Sequence, residues 1–76
     1  MEDALRVTFG RAIRRLRDGR GFSQERFAHA AQIDRAYMSE IERGVTNVSL
    51  DMIERLAKTL EISLEELFRE VEAKTR

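Results

Sequence analysis

Apolar residues recur every three or four positions along almost the whole chain, the spacing of helices that bury one face. Leu5, Phe9, Ile13 and Leu16 draw a first stripe over roughly residues 3–18, which stops before the breaker Gly19-Arg20-Gly21. Phe27, Ala28 and Ala31, then Met38 and Ile41, draw two shorter stripes with Ile33 between them. Leu50, Ile53, Leu56, Ala57 and Leu60 form a fourth, and Leu64, Leu67, Phe68 and Val71 a fifth over about residues 63–72. No alternation of strand length interrupts the pattern, and the chain has no Pro. The prediction is one all-α domain over residues 1–76, a compact bundle of five helices.

Polar residues punctuate the stripes. Ser23 and Asp34 stand where N-caps of the second and third helices belong, each expected to accept a hydrogen bond from the turn that follows, and Ser49 does the same for the fourth. Ser63 with Glu66 reads as a capping box for the fifth helix. Gly44 is placed to cap the C-terminus of the third. Gln32 falls in the turn between the second and third helices; a positive φ there would cost about 1 kcal/mol, tolerable in a domain stable by ~5–15 kcal/mol.

Two short helices separated by about three residues, over residues 23–44, are the signature of a helix-turn-helix. Helices that cross steeply over a short turn need a small side chain where they touch, and Ala28 supplies it. With Phe27, Ala31, Met38 and Ile41 turned inward, the third helix presents Arg35, Ala36, Ser39, Glu40 and Arg43, a surface suited to the major groove of DNA. Arg35, near the start of that helix, is long enough to bond O6 and N7 of guanine together and is the expected base reader, with a phosphate contact as the alternative. Ala36 allows close approach and can touch a thymine methyl; Ser39, one turn on, can bond a base or a phosphate. Arg43, Thr46 and Asn47 are placed to hold the DNA backbone beside the half-site.

Charge complicates this reading, because 14 basic and 14 acidic residues cancel. They are not evenly spread. Residues 1–44 hold nine Arg against seven acids, and residues 45–76 hold three Arg and two Lys against seven. Arg predominates, the side chain whose planar fork suits phosphate and guanine. For Arg11, Arg14 and Arg15, DNA contact and i,i+4 salt bridges within the helix are both open. The chain has no Cys, its single histidine, His29, reads as a surface residue, and no nucleophile, base and orienting group occur together. Neither catalysis, a metal nor a cofactor is expected. No apolar run approaches membrane length and the start of the chain lacks a signal-peptide order, so a cytoplasmic protein is expected. A length of 76 residues leaves no room for a sensor, hence no small-molecule effector.

The residues Ser23-Gln24-Glu25, Phe27-Ala28, Ile33-Asp34, Met38-Ser39 and Ile41-Glu42-Arg43-Gly44 resemble the DNA-binding domains of the lambda-repressor and Cro-like (XRE) family. The run from Asp34 to Gly44, followed by Asn47-Val48-Ser49-Leu50, is further similar to the controller proteins of restriction-modification systems. The resemblance implies that Ser23 and Gln24, at the start of the second helix, meet the DNA backbone, Gln24 through its amide. It implies the same for the Tyr37 hydroxyl, although the ring is equally suited to pack between helices. Glu42 is expected to partner an Arg of the first helix, since a carboxylate facing phosphate is repelled.

The family also implies a homodimer joined through its last helices. Leu64 and Phe68 are expected to close the bundle, which leaves Leu67 and Val71 for the subunit contact, and the candidate interface is Val48, Leu50, Leu64, Leu67 and Val71. The alternative is that all four apolar residues of the last helix complete the core. The function implied is a transcriptional regulator on a pseudo-palindromic operator, controlling a restriction-modification system including its own promoter. An antitoxin or phage-type repressor of the same fold, or a helical interaction module without DNA binding, are the rival readings. Glu25 and Glu40 could face RNA polymerase, or simply solvent.

Overall fold

The computed structural model describes residues 4–73. Its elements are α1 (Ala4–Gly19), α2 (Gln24–Ala31), α3 (Arg35–Arg43), α4 (Leu50–Leu60) and α5 (Leu64–Ala73). The five-helix, all-α prediction holds, and the helix-turn-helix falls where the spacing put it.

The starts of the helices follow the cap chemistry, with one exception. Ser23 Oγ accepts from the Arg26 backbone N–H at 3.1 Å and Ser49 Oγ from that of Met52 at 3.0 Å. The capping box is reciprocal, with Glu66 N–H on Ser63 Oγ at 3.0 Å and Ser63 N–H on Glu66 Oε1 at 2.8 Å. Asp34 adopts the extended N-cap backbone but its side chain makes no cap hydrogen bond. Its charge still lies at the positive end of α3, which is favourable without a bond.

Each of the first four helices ends in the same way. A residue in the left-handed region follows the helix, and two backbone N–H groups fold back on the last turn. The left-handed residues are Gly21, Gln32, Gly44 and Glu61, with φ of 78°, 61°, 75° and 61°. The residue after each is apolar: Phe22, Ile33, Val45 and Ile62. Phe22, Ile33 and Ile62 then pack against the core. Phe22 meets Phe27 edge-on at 5.3 Å between ring centres. Gln32 does take the positive φ considered for it, and Glu61 does so without any warning from composition.

Phe27, Ile13, Met38, Ile41, Leu56, Leu60, Leu67 and Val71 fill the centre with almost no exposure. α1 crosses α3 closely, so that a side chain at Gly10 would press on the backbone carbonyls of Ile41 and Glu42, and one at Gly44 would lie 2.6 Å from the Cα of Val7. These two contacts seat α3 on α1 and leave its opposite face outward.

The fifth helix corrects the prediction. Leu67 and Val71, assigned to a subunit contact, are buried in the protomer's own core at 0% and 1% exposure. Leu64 and Phe68, expected to close the bundle, are exposed at 46% and 36%, with Phe68 leaning on Phe9 at 6.0 Å between ring centres. The four residues span about 100° of helix circumference, an ordinary width for a core-facing stripe, yet only part of it is packed here. Its leading side packs inward, and its trailing side is left at the surface.

Candidate nucleic-acid interface

Burial of Met38 and Ile41 fixes the rotation of α3 about its axis. Arg35 and Ala36 are exposed on its outer face, Ser39 is half-buried one turn on, and Arg43 is exposed at its end. Arg43 Nε donates to Ser39 Oγ at 3.2 Å, which occupies one lone pair of the hydroxyl and leaves its proton free to turn outward. Thr46 is half-buried and Asn47 exposed in the loop beyond. Of the two readings of Tyr37, packing is seen: the half-buried ring lies against the core. With His29, Gln32, Ile33, Asp34 and Met52 it lines an open depression of about 640 Å³. His29, Glu25 and Glu40 are exposed.

Behind this face lies a buried ionic cluster. Arg17, on the inward side of α1, donates through Nε to Glu42 Oε2 at 2.6 Å and through Nη2 to Oε1 at 3.1 Å. Both side chains are under a tenth exposed. Arg17 Nη1 reaches the Phe22 carbonyl at 2.7 Å and Asp18 at 3.2 Å, and Gln24 Nε2 donates to Glu42 at 3.1 Å. The partner expected for Glu42 on the first helix is therefore Arg17. The hydrogen bond to Glu42 lifts the Arg17 guanidinium above its ordinary value, against burial, which pulls it down. Raised in the folded state, it stabilises at every pH below its unfolded value and is lost only at more alkaline pH still, so the cluster is unaffected by base in the neutral range.

Arg17 was missed as an individual. The signal was available, since position 17 follows Ile13 by one turn and so carries a charge in an apolar register. Arg20, read only as part of a turn, bonds the Leu60 carbonyl and pairs with Glu61 at 2.9 Å, holding the end of α4. Arg15 pairs with Glu70 of α5 at 2.7 Å, a bridge between helices and not the i,i+4 pair within α1 expected as the alternative to DNA contact, while Arg11 and Arg14 are exposed on α1.

A second surface lies around α4 and α5. Leu5, Arg6, Phe9, Asn47, Val48, Ile53 and Phe68 line a largely apolar hollow of about 170 Å³. Leu5, Leu50 and Leu64 stand exposed at 66%, 82% and 46%. Of the five residues expected at a dimer contact, Val48, Leu50 and Leu64 are accessible, and Leu67 and Val71 are not.

Fold and site together define a helix-turn-helix protein of the lambda-repressor-like kind, with a recognition helix free on its outer side. The helix-turn-helix family profile matches residues 13–67, and the chain belongs to that family. It is 40% identical over 68 residues to the control protein C.BamHI of Bacillus amyloliquefaciens, covering 88% of this chain and 84% of that one. It is 41% identical to the control protein C.MunI of Mycoplasma sp, over 90% of this chain and 93% of that one. The crystal structure of the restriction-modification controller protein C.AhdI from Aeromonas hydrophila superposes with a TM-score of 0.82 at 45% identity, covering 87% of this chain and 96% of that one. The chain is thus a DNA-binding regulator related to restriction-modification controllers, a family of regulators and not of enzymes. Among the described residues, no helix is long and apolar enough to cross a membrane.

Proposed function

We propose that the protein binds operator DNA as a homodimer and regulates transcription in a restriction-modification system, including transcription from its own promoter. The observation that carries this is the outer face of α3, where Arg35 and Ala36 are exposed. Arg35 reads a guanine edge, and Ala36 and Ser39 complete the base contacts. Ser23 and Gln24 meet a phosphate at the positive end of α2, while Tyr37, Arg43, Thr46 and Asn47 follow the backbone on either side. Identity of about two residues in five to control proteins supports the assignment of the system.

The dimer joins through Val48, Leu50 and Leu64, with Leu5 and Phe68 added to the surface that two copies cover. A twofold pair predicts two half-sites about one helical turn apart, roughly 34 Å. The protein works in the cytoplasm, and its regulation runs through its own concentration, a partner or competition between operators.

Selection from a random pool of duplexes across a range of salt concentrations tests the reading. Enrichment of a two-half-site motif whose affinity falls steeply with salt is expected. Retention at background even in low salt would overturn it in favour of a helical interaction module, in which the exposed apolar surface docks another protein.

A further inference from the structure

Glu42 serves two donors at once. Its Oε1 accepts from Arg17 Nη2 and from Gln24 Nε2, each at 3.1 Å, while Oε2 is held by Arg17 Nε at 2.6 Å. A carboxylate only accepts, so the Gln24 amide must turn its nitrogen toward Glu42, and the flipped amide is excluded. That nitrogen carries two N–H groups. One is taken by Glu42, and the other remains for an acceptor outside the protein. An unheld glutamine at a helix start would sample both flips, and in one of them its oxygen would face a phosphate that cannot donate.

The arrangement also removes the objection to a carboxylate near DNA. The Glu42 side chain is only 5% exposed, and the Arg17 guanidinium lies across both of its oxygens. Arg17 is itself fixed by the Phe22 carbonyl at the end of α1. The amide is therefore oriented by a carboxylate whose charge is balanced inside the protein.

We propose that Glu42 is a positioning residue for DNA binding: neutralised by Arg17, it fixes the Gln24 amide with one N–H directed outward to a phosphate oxygen. This rests on the reading of Gln24 as a phosphate contact. A phosphate contact is blind to sequence, so no operator need be known to test it.

Affinity for a mixed-sequence duplex about three helical turns long is measured by fluorescence anisotropy at several salt concentrations. The proteins are the unaltered chain, Glu42→Gln, Gln24→Ala and the double variant, each held where its thermal melt shows it folded. Glu42→Gln and Gln24→Ala should each weaken binding roughly three- to tenfold, and the double variant should bind no more weakly than Gln24→Ala. Losses that multiply in the double variant, or a Glu42→Gln protein that melts lower yet binds as tightly, overturn the positioning role and leave Gln24 as a ligand. Unchanged binding by Gln24→Ala removes the phosphate reading itself, and the proposal with it.

The side-chain amide NMR signals of Gln24 in the unaltered protein give a second test that depends on no variant folding. A held amide has one Nε2 proton shifted away from its position in free glutamine and slow to exchange with solvent. Two amide protons at the free-glutamine positions, both exchanging as fast as in the free residue, overturn the proposal.

Discussion

The outer face of α3 and the surface around α4 and α5 are both exposed faces of short amphipathic helices, yet they differ in how their side chains are held. On α3 the apolar stripe is used up inside: Met38 and Ile41 go inward with the Tyr37 ring against the core beside them, and the positions left outward are polar or small. The polar face is braced from behind, by the Arg17–Glu42 pair and by Arg43 on Ser39. On α5 only one side of the stripe is packed, so Leu64 and Phe68 are left exposed, as is Leu50 at the start of α4. A stripe packed over its whole width determines which residues face out. A stripe packed on one side only leaves some apolar residues outside, and a partner surface is the usual use for them.

The sharpest test of this contrast compares two leucines of one helix. Leu67→Ala removes a fully buried side chain and should cost about 2–5 kcal/mol of protomer stability, read by urea unfolding, with a midpoint that falls at any protein concentration. Leu64→Ala should cost less than about 1 kcal/mol of protomer stability, because the side chain is already half in water. Equal losses at the two positions would mean that α5 is rotated from the position described.

Dimerisation comes next. Leu50 is the first residue of α4, directly after its N-cap, where an acidic side chain suits the helix dipole. Leu50→Glu should leave the protomer folded and weaken self-association by ~3 kcal/mol, since a twofold interface loses the side chain from both copies and gains a like-charge pair. Sedimentation equilibrium reads the effect. Unchanged association would place the interface elsewhere.

The braced face predicts a different kind of loss. Arg35→Ala should cost ~1–3 kcal/mol of affinity for the selected duplex and relax preference at one base, with protomer stability unchanged because the side chain is exposed. A uniform loss over all sequences would make Arg35 a phosphate contact.

How far these features could be read from the sequence follows the same contrast. The caps at Ser23, Ser49 and Ser63 and the inward set of α2 and α3 were legible because each has one physical solution. The pair Arg17–Glu42 was half legible: Glu42 was unsuited to face phosphate, but which arginine met it depended on the crossing of α1 over α3. The register of α5 was not legible, because Leu64 with Phe68 and Leu67 with Val71 have the same one-turn spacing. Only the packing of α5 against α1 and α4 decides between them. Glu61 was missed for the opposite reason. Nothing in a glutamate signals a positive φ, and the only hint was the apolar Ile62 behind it, the position that Phe22, Ile33 and Val45 also fill.

That shared cap allows the smallest test to be made on both sides of the molecule. Gln32 lies in the turn that presents the polar face, and Glu61 in the turn that leads into the apolar one, both at φ 61°. Glycine adopts this conformation without strain but loses more freedom on folding, so Gln32→Gly and Glu61→Gly should each stabilise by about 0.5–1 kcal/mol. The gain at 61 should be the smaller, because Glu61 also pairs with Arg20. Gly44→Ala tests the same conformation from the other direction. It should destabilise by more than ~1 kcal/mol, since the new methyl would meet the Val7 backbone as well as the positive φ. If Gln32→Gly stabilises and leaves DNA affinity unchanged, α2 and α3 already hold the binding geometry. If it alters affinity, the turn in the free protein differs from the turn on DNA, and the polar face is less rigid than its bracing implies.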